Sequence, residues 1–167
     1  MLALMTDRLL TALDSLATPY EIVACDPELA DTAEFCAAYG YAMEDSANTI
    51  VVAGKAHPPV FAACIVLAHT RLDVNKTVRK RLGTRKASFA AAEQTAELTG
   101  MQIGGVTPFG LPSDLPLFVD ARVMERERII LGGGSRDRKV LAAPSILTDA
   151  GAIVVADLAK EPDVGPA

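Results

Sequence analysis

Two adjacent glycines, Gly104 and Gly105, stand just ahead of Pro108 in the segment LTGMQIGGVTPFG, Leu98 to Gly110. Glycine accepts positive φ and lets another group approach the main chain closely, while proline fixes its own φ and drives Thr107 toward an extended conformation. Such a string builds either a tight strand-to-loop turn or the wall of a pocket. In the pocket-wall case, backbone N–H groups of Gly104, Gly105 and their neighbours are placed to hold a carbonyl or a developing oxyanion.

The rest of the chain alternates short apolar runs with turn signals. Leu9, Leu10, Leu13 and Leu16 follow helical spacing after Thr6, a candidate cap, and Pro19 stops the helix. Tyr20 to Ala24 reads as a strand, and Thr32 opens a helix that Gly40 ends. Thr49 to Ala53 and Val60 to Ala68 read as buried strands joined across GKAHPP. Asp73 caps a helix with Val74, Val78 and Leu82 on one face and Lys76, Arg79 and Lys80 off it, stopped by Gly83. A further helix runs from about Phe89 to Leu98. Strands follow at Leu117 to Asp120, Arg128 to Leu131 and Ala152 to Ala156, with a helix from Ser145 between the last two. At 167 residues this pattern predicts one α/β domain spanning 1–167, with a frayed tail from about residue 160.

Charge and cysteine usage narrow the function. The net charge is −5, but residues 1–50 carry nine acids against Arg8 alone, so the remainder is basic by +3. Lys76, Arg79, Lys80 and Arg81 lie in a run opposed by a single acid, Asp73, and Arg122, Arg126, Arg128, Arg136, Arg138 and Lys139 form a second cluster. Either cluster suits a solvated face or a polyanion partner. Cys25, Cys36 and Cys64 are odd in number and lack C-x-x-C spacing, which predicts reduced core thiols and a cytoplasmic protein without disulfide or zinc. No apolar run reaches the length needed to span a bilayer, and the start carries Asp7 and Arg8 without a signal-peptide pattern. His57 and His69 have no ligand spacing, and no serine stands in a G-x-S-x-G elbow, so a metal site and a nucleophilic triad are both unsupported. GGGS, Gly132 to Ser135, can cradle a phosphate, although it lacks the Walker spacing. Asn48 starts a strand, either as a cap or as a polar group facing a cleft.

Four segments, Asn48 to Val52, Asp73 to Gly110, Leu115 to Val123 and Ile129 to Pro144, together resemble the YbaK/EbsC and prolyl-tRNA-synthetase-associated domain family. Its members are free-standing editing proteins that hydrolyse misacylated tRNA. The resemblance implies a mixed, strongly curved, barrel-like sheet flanked by helices. It also implies a trans-acting deacylase that cleaves the ester of a small mischarged amino acid on tRNA, with no cofactor and no metal. By position it assigns Asn48, Gly104 and Gly105 to catalysis and Thr49, Thr107, Pro108, Gly133, Gly134, Ser135 and Lys139 to substrate binding. Lys76, Arg79, Lys80 and Arg81 are then assigned to tRNA. The partners implied are the aminoacylated 3′ end of tRNA and an aminoacyl-tRNA synthetase, with neither membrane nor DNA. Two departures touch the site. Editing members carry a lysine where this chain has Asn48, and a carboxylate in the stretch that aligns with Lys139. Positive charge has then either moved to the opposite wall, or the chain is a noncatalytic module that binds an aminoacyl compound, a tRNA end or a synthetase.

Overall fold

A computed structural model describes residues 7–101 and 105–161. Ten strands are formed: β1 (Tyr20–Ala24), β2 (Ala47–Gly54), β3 (Val60–Leu67), β4 (Arg71–Leu72), β5 (Ala87–Phe89), β6 (Leu117–Asp120), β7 (Ile129–Gly132), β8 (Arg138–Ala142), β9 (Ile153–Val155) and β10 (Ala159–Lys160). The helices are α1 (Arg8–Asp14), α2 (Thr32–Tyr39), α3 (Arg79–Leu82), α4 (Ala92–Thr99), α5 (Ala121–Met124) and α6 (Ser145–Asp149).

The central sheet has the order β5-β2-β3-β6-β9, antiparallel on the β2 side of β3 and parallel on the β6 side. Strand β3 is apolar along nearly its whole length because both of its faces are covered. Its side chains alternate between two cores. Ala63, Ile65 and Leu67 point to one, with Leu9, Leu13, Ile146 and Leu147. Ala62, Cys64 and Val66 point to the other, with Val74, Val78 and Leu158. A second sheet, β1-β8-β7, packs against the first through Ile129, Leu131 and Val140 and is hydrogen-bonded to it at a parallel bridge, Ser46 to Ile130.

The mixed sheet and its flanking helices agree with expectation, but the barrel-like closure does not. Strands β5 and β9 remain free edges, and β1 and β7 are the edges of a separate sheet. The physical reason is the shortness of β5 and β9, three residues each, which leaves no ladder long enough to close the structure.

Several local readings change as well. Asp7, and not Thr6, caps α1, its Oδ1 accepting from the N–H groups of Leu9 and Leu10; Thr6 lies outside the described residues. The helix after Asp73 starts as a wide π turn, Val74–Val78, and Asp73 accepts from the Thr77 hydroxyl without capping a backbone N–H. Phe89 belongs to a strand, and the helix behind it begins at Ala92. Strand β8 was not foreseen, because its residues Arg138 and Lys139 are charged. All three cysteines are buried and unpaired. Among the described residues no helix is long and apolar enough to cross a membrane.

The start of α1 fastens the two glycine-bearing segments. Arg8 donates to the carbonyls of Thr99 and Gly110, which bracket the first. Asp7 takes both terminal nitrogens of Arg138, at 2.7 and 3.0 Å, and the Arg138 Nε donates to the Gly133 carbonyl in the second. This pairing holds the Asp7 carboxyl below the ordinary carboxylate range, the Arg138 hydrogen bond being the largest cause. A carboxylate with a depressed folded-state pKa contributes stability above its unfolded pKa and loses it as pH falls through the folded value. The stability of the wild type should therefore fall more steeply below about pH 4 than that of Asp7→Asn, as measured by urea unfolding across pH.

Gly132 makes a second prediction. A Cβ there would enter the van der Waals radius of the Val106 carbonyl oxygen, a backbone atom that cannot swing away. Gly132→Ala should cost roughly 1–3 kcal/mol in urea unfolding, as other overpacked sites do.

Candidate functional site

A cavity of about 460 Å³ opens where β2 loses its neighbour. Strand β5 covers β2 only from Val52 to Gly54, and the bridge to β7 touches only Ser46, so among the described residues no strand pairs with that edge of β2 at Thr49. The Val51 carbonyl accepts from the Ala90 N–H on this side, and backbone direction repeats every second residue. Thr49 therefore also presents its N–H and C=O to the cavity.

Asn48 and Thr49 line one wall. The Thr32 hydroxyl, at the start of α2, donates to Asn48 Oδ1 at 3.2 Å, which fixes the amide and leaves its nitrogen to face the cavity as a neutral donor. Thr49 Oγ1 is buried and has no hydrogen-bond partner. An unsatisfied buried hydroxyl is costly, and this one lies beneath the cavity wall, closed off from solvent.

Lys139 and Gly132 are cross-strand neighbours on β8 and β7 and line the opposite wall. The Lys139 ammonium donates to the Ala30 carbonyl at 2.6 Å and lies 5.5 Å from the centre of the Phe35 ring. Burial lowers its pKa below the ordinary lysine value. Its head thus secures the segment leading into α2, which also borders the cavity. Asp31, at that border, is paired with Arg136 at 3.2 Å. The cavity holds no cysteine. The thiol nearest the sheet centre, Cys64, is buried in the core with its pKa pushed up to about 12 by burial.

The glycine segments meet behind this cavity. Gly134 donates its N–H to the Gly105 carbonyl at 2.8 Å, and a Cβ on Gly105 would stand 2.9 Å from the Ser135 carbonyl carbon. The requirement for glycine at Gly105 is close approach of a second backbone. Gly134 takes positive φ, at +85°. Gly104 lies outside the described residues.

The structure thus brings Asn48, Thr49 and Lys139 to one cavity, and the first glycine segment reaches it through Val106 and the second through Gly132. Thr107 and Gly134 line a smaller cavity of about 140 Å³ beside Asp7 and Arg138, and Pro108 lines a third near Leu111 and Leu115. Gly133 and Ser135 support the loop contact without lining the main cavity. The reading from sequence missed Thr32, Val106 and Phe89, all of which line it. Thr32 was visible only as a helix start, and nothing in one dimension joins it to Asn48.

The two basic clusters differ. Members of the second are engaged within the protein. Arg126 pairs with Asp45, Arg136 with Asp31 and Arg138 with Asp7, while Arg122 holds Asp120 and the Ala159 carbonyl. In the first, Arg79 donates to the Asn75 and Thr84 carbonyls and Arg81 lies over the Phe118 ring. Lys76 and Lys80 are exposed on the π turn and α3. Among the described residues, no group of three or more His, Cys, Asp or Glu side chains could hold a metal ion.

Known proteins share this architecture. A solved structure of hypothetical protein APE2540 superposes with a TM-score of 0.82, 23% identity and coverage of 92% of this chain and 100% of that one. A candidate trans-editing enzyme for prolyl tRNA synthetase superposes at 0.77 with 25% identity, covering 93% and 96%. The candidate Cys-tRNA(Pro)/Cys-tRNA(Cys) deacylase EbsC of Enterococcus faecalis is 25% identical over 100 residues, 60% of this chain and 59% of that protein. The chain spans about half the length of the curated relatives it matches, 47% and 59%. The aminoacyl-tRNA editing domain family matches residues 26–149, most of the chain, and every residue that lines the cavity falls within that span. The chain therefore belongs to the aminoacyl-tRNA editing domain family.

Proposed function

We propose that this chain is a trans-acting deacylase that hydrolyses the ester between a small mischarged amino acid and the terminal ribose of tRNA, residues 1–167 acting as one unit. The observation that carries this reading is the uncovered edge of β2. There the Thr49 main chain and the Asn48 side chain border one cavity that no serine, cysteine or histidine among the described residues lines. An ester needs donors for its carbonyl oxygen and a held water more than it needs a protein nucleophile. Main-chain and amide donors supply the first, and the substrate's neighbouring ribose hydroxyl is available to orient the second. Lys139 serves as a positioning residue, holding the Ala30 carbonyl and with it the wall that carries Thr32. The tRNA body is then met by the exposed lysines of the π turn and α3, and the protein works in the cytoplasm, alone or beside a synthetase.

The neutral Asn48 favours a second reading, a noncatalytic module that binds the acylated end. Deacylation assays with tRNAs charged with Ala, Cys, Ser, Thr and Pro separate the two. The wild type should turn over at least one of them. Asn48→Lys should lower the rate about tenfold or more, because lysine cannot accept from Thr32 and places a second ammonium in the cavity with Lys139. A wild type inactive on all five, with turnover gained by Asn48→Lys, would establish the binding module instead.

The tRNA contact has its own test. Replacing Lys76 and Lys80 with Ala should weaken charged and uncharged tRNA equally. The slope of log affinity against log salt should become shallower by roughly 1 to 2, as two phosphate contacts are lost. An unchanged slope assigns these lysines to an ordinary solvated face.

A further inference from the structure

We infer that Phe89 is a stacking platform for the terminal adenine of the tRNA acceptor end, an inference that rests on the editing function proposed above. Phe89 is 58% exposed, more than any other large hydrophobic residue among the described residues, and it is the one aromatic side chain lining the main cavity. Its strand neighbour across the ladder, Val52, is fully buried, so the ring lies where the core ends and the cavity begins. Among the described residues no aromatic ring or cation lies against it, whereas Phe35 packs with Tyr39, Tyr41 and Lys139 and Phe118 lies under Arg81.

The direction of the substrate follows from what lies on either side of β5. Inward are Asn48 and Thr49, the groups suited to the ester. Outward, Arg85 and Lys86 immediately precede β5 and are exposed, and the π turn with Lys76 packs against the same strand. An acylated strand with its ester inside and its phosphates on this basic surface passes its last base across Phe89. Unpaired RNA bases are held in this way, on exposed aromatic rings flanked by cations, and the contact tolerates any base because every base has a π face. The positive charge outside the cavity points to a nucleotide as the occupant in preference to a second copy of this chain, whose net charge is −5.

The test is equilibrium binding of the trinucleotide CCA, with 2-aminopurine in place of the terminal adenine, to the full chain. Stacking should quench the 2-aminopurine fluorescence in the wild type and in Phe89→Trp. Phe89→Leu keeps an apolar side chain at an exposed position but removes the ring. It should abolish the quench and weaken binding roughly 5- to 150-fold, the range seen when one base loses its aromatic partner. With charged tRNA, Phe89→Leu should raise KM and leave kcat near the wild-type value. Wild-type affinity and quench in Phe89→Leu, or no binding of the trinucleotide by the wild type, would overturn the inference. So would a change confined to the sedimentation coefficient, which would mark the ring as a self-association contact. A Phe89-dependent quench in a protein that deacylates nothing would overturn the editing function and leave the stacking contact in place.

Discussion

Close contact between two stretches of bare backbone governs the arrangement around the cavity. Gly132 admits the Val106 carbonyl, Gly105 admits the Ser135 main chain, and the Gly134 N–H joins the Gly105 carbonyl. Neither of the first two approaches leaves room for a Cβ. Because β7 carries Gly132 and pairs with β8, the same contact sets the position of Lys139, and Lys139 in turn holds the segment that leads into α2. One wall of the cavity is therefore built outward from a place where side chains are excluded.

The opposite wall comes from a strand that is half covered. Strand β3 is covered on both faces and pairs with β2 along its whole length, which anchors the inner edge of β2. Strand β5 is too short to cover the outer edge of β2, and β7 leaves after one bridge. Backbone groups on a strand edge are normally a hazard for aggregation, but here they are recessed in a cavity where only a small polar group can reach them. Rigidity behind and exposure in front give Thr49 and Asn48 a fixed geometry, which a preorganised site requires.

Electrostatics separate the two basic clusters. Four arginines of the second basic cluster are used up in pairs with Asp7, Asp31, Asp45 and Asp120, so they brace the fold, and Arg128 lies over the Tyr41 ring. The acid-rich first 50 residues supply three of those four partners, which explains how a chain of net charge −5 keeps an exposed basic segment at residues 76–86. Uneven charge along the sequence becomes internal pairing on one side and an open basic surface on the other.

Much of this was legible in one dimension. Runs such as VFAACIVL and LFVD specify buried strands because nothing in them can face water, and Gly40 and Gly83 stop helices because only glycine takes the left-handed turn cheaply. The glycine strings and Asn48 stood out for the same reason, as residue types whose chemistry has few other uses. Strand β8 was hidden because Arg138 and Lys139 find their partners in Asp7 and Ala30, more than a hundred residues away. Phe89 resembled a helix start because its strand has only three residues and its ring stands free of the core. The sequence by itself determined the elements, the buried strands and the need for bare backbone at two loops, since these depend on local sterics and on the transfer of side chains from water. Only the tertiary structure decided that the sheet stays open and that Asn48, Thr49, Lys139 and Phe89 share one cavity. Those outcomes depend on which edges run out of partners, a property of strand lengths and long-range pairing that no local segment carries.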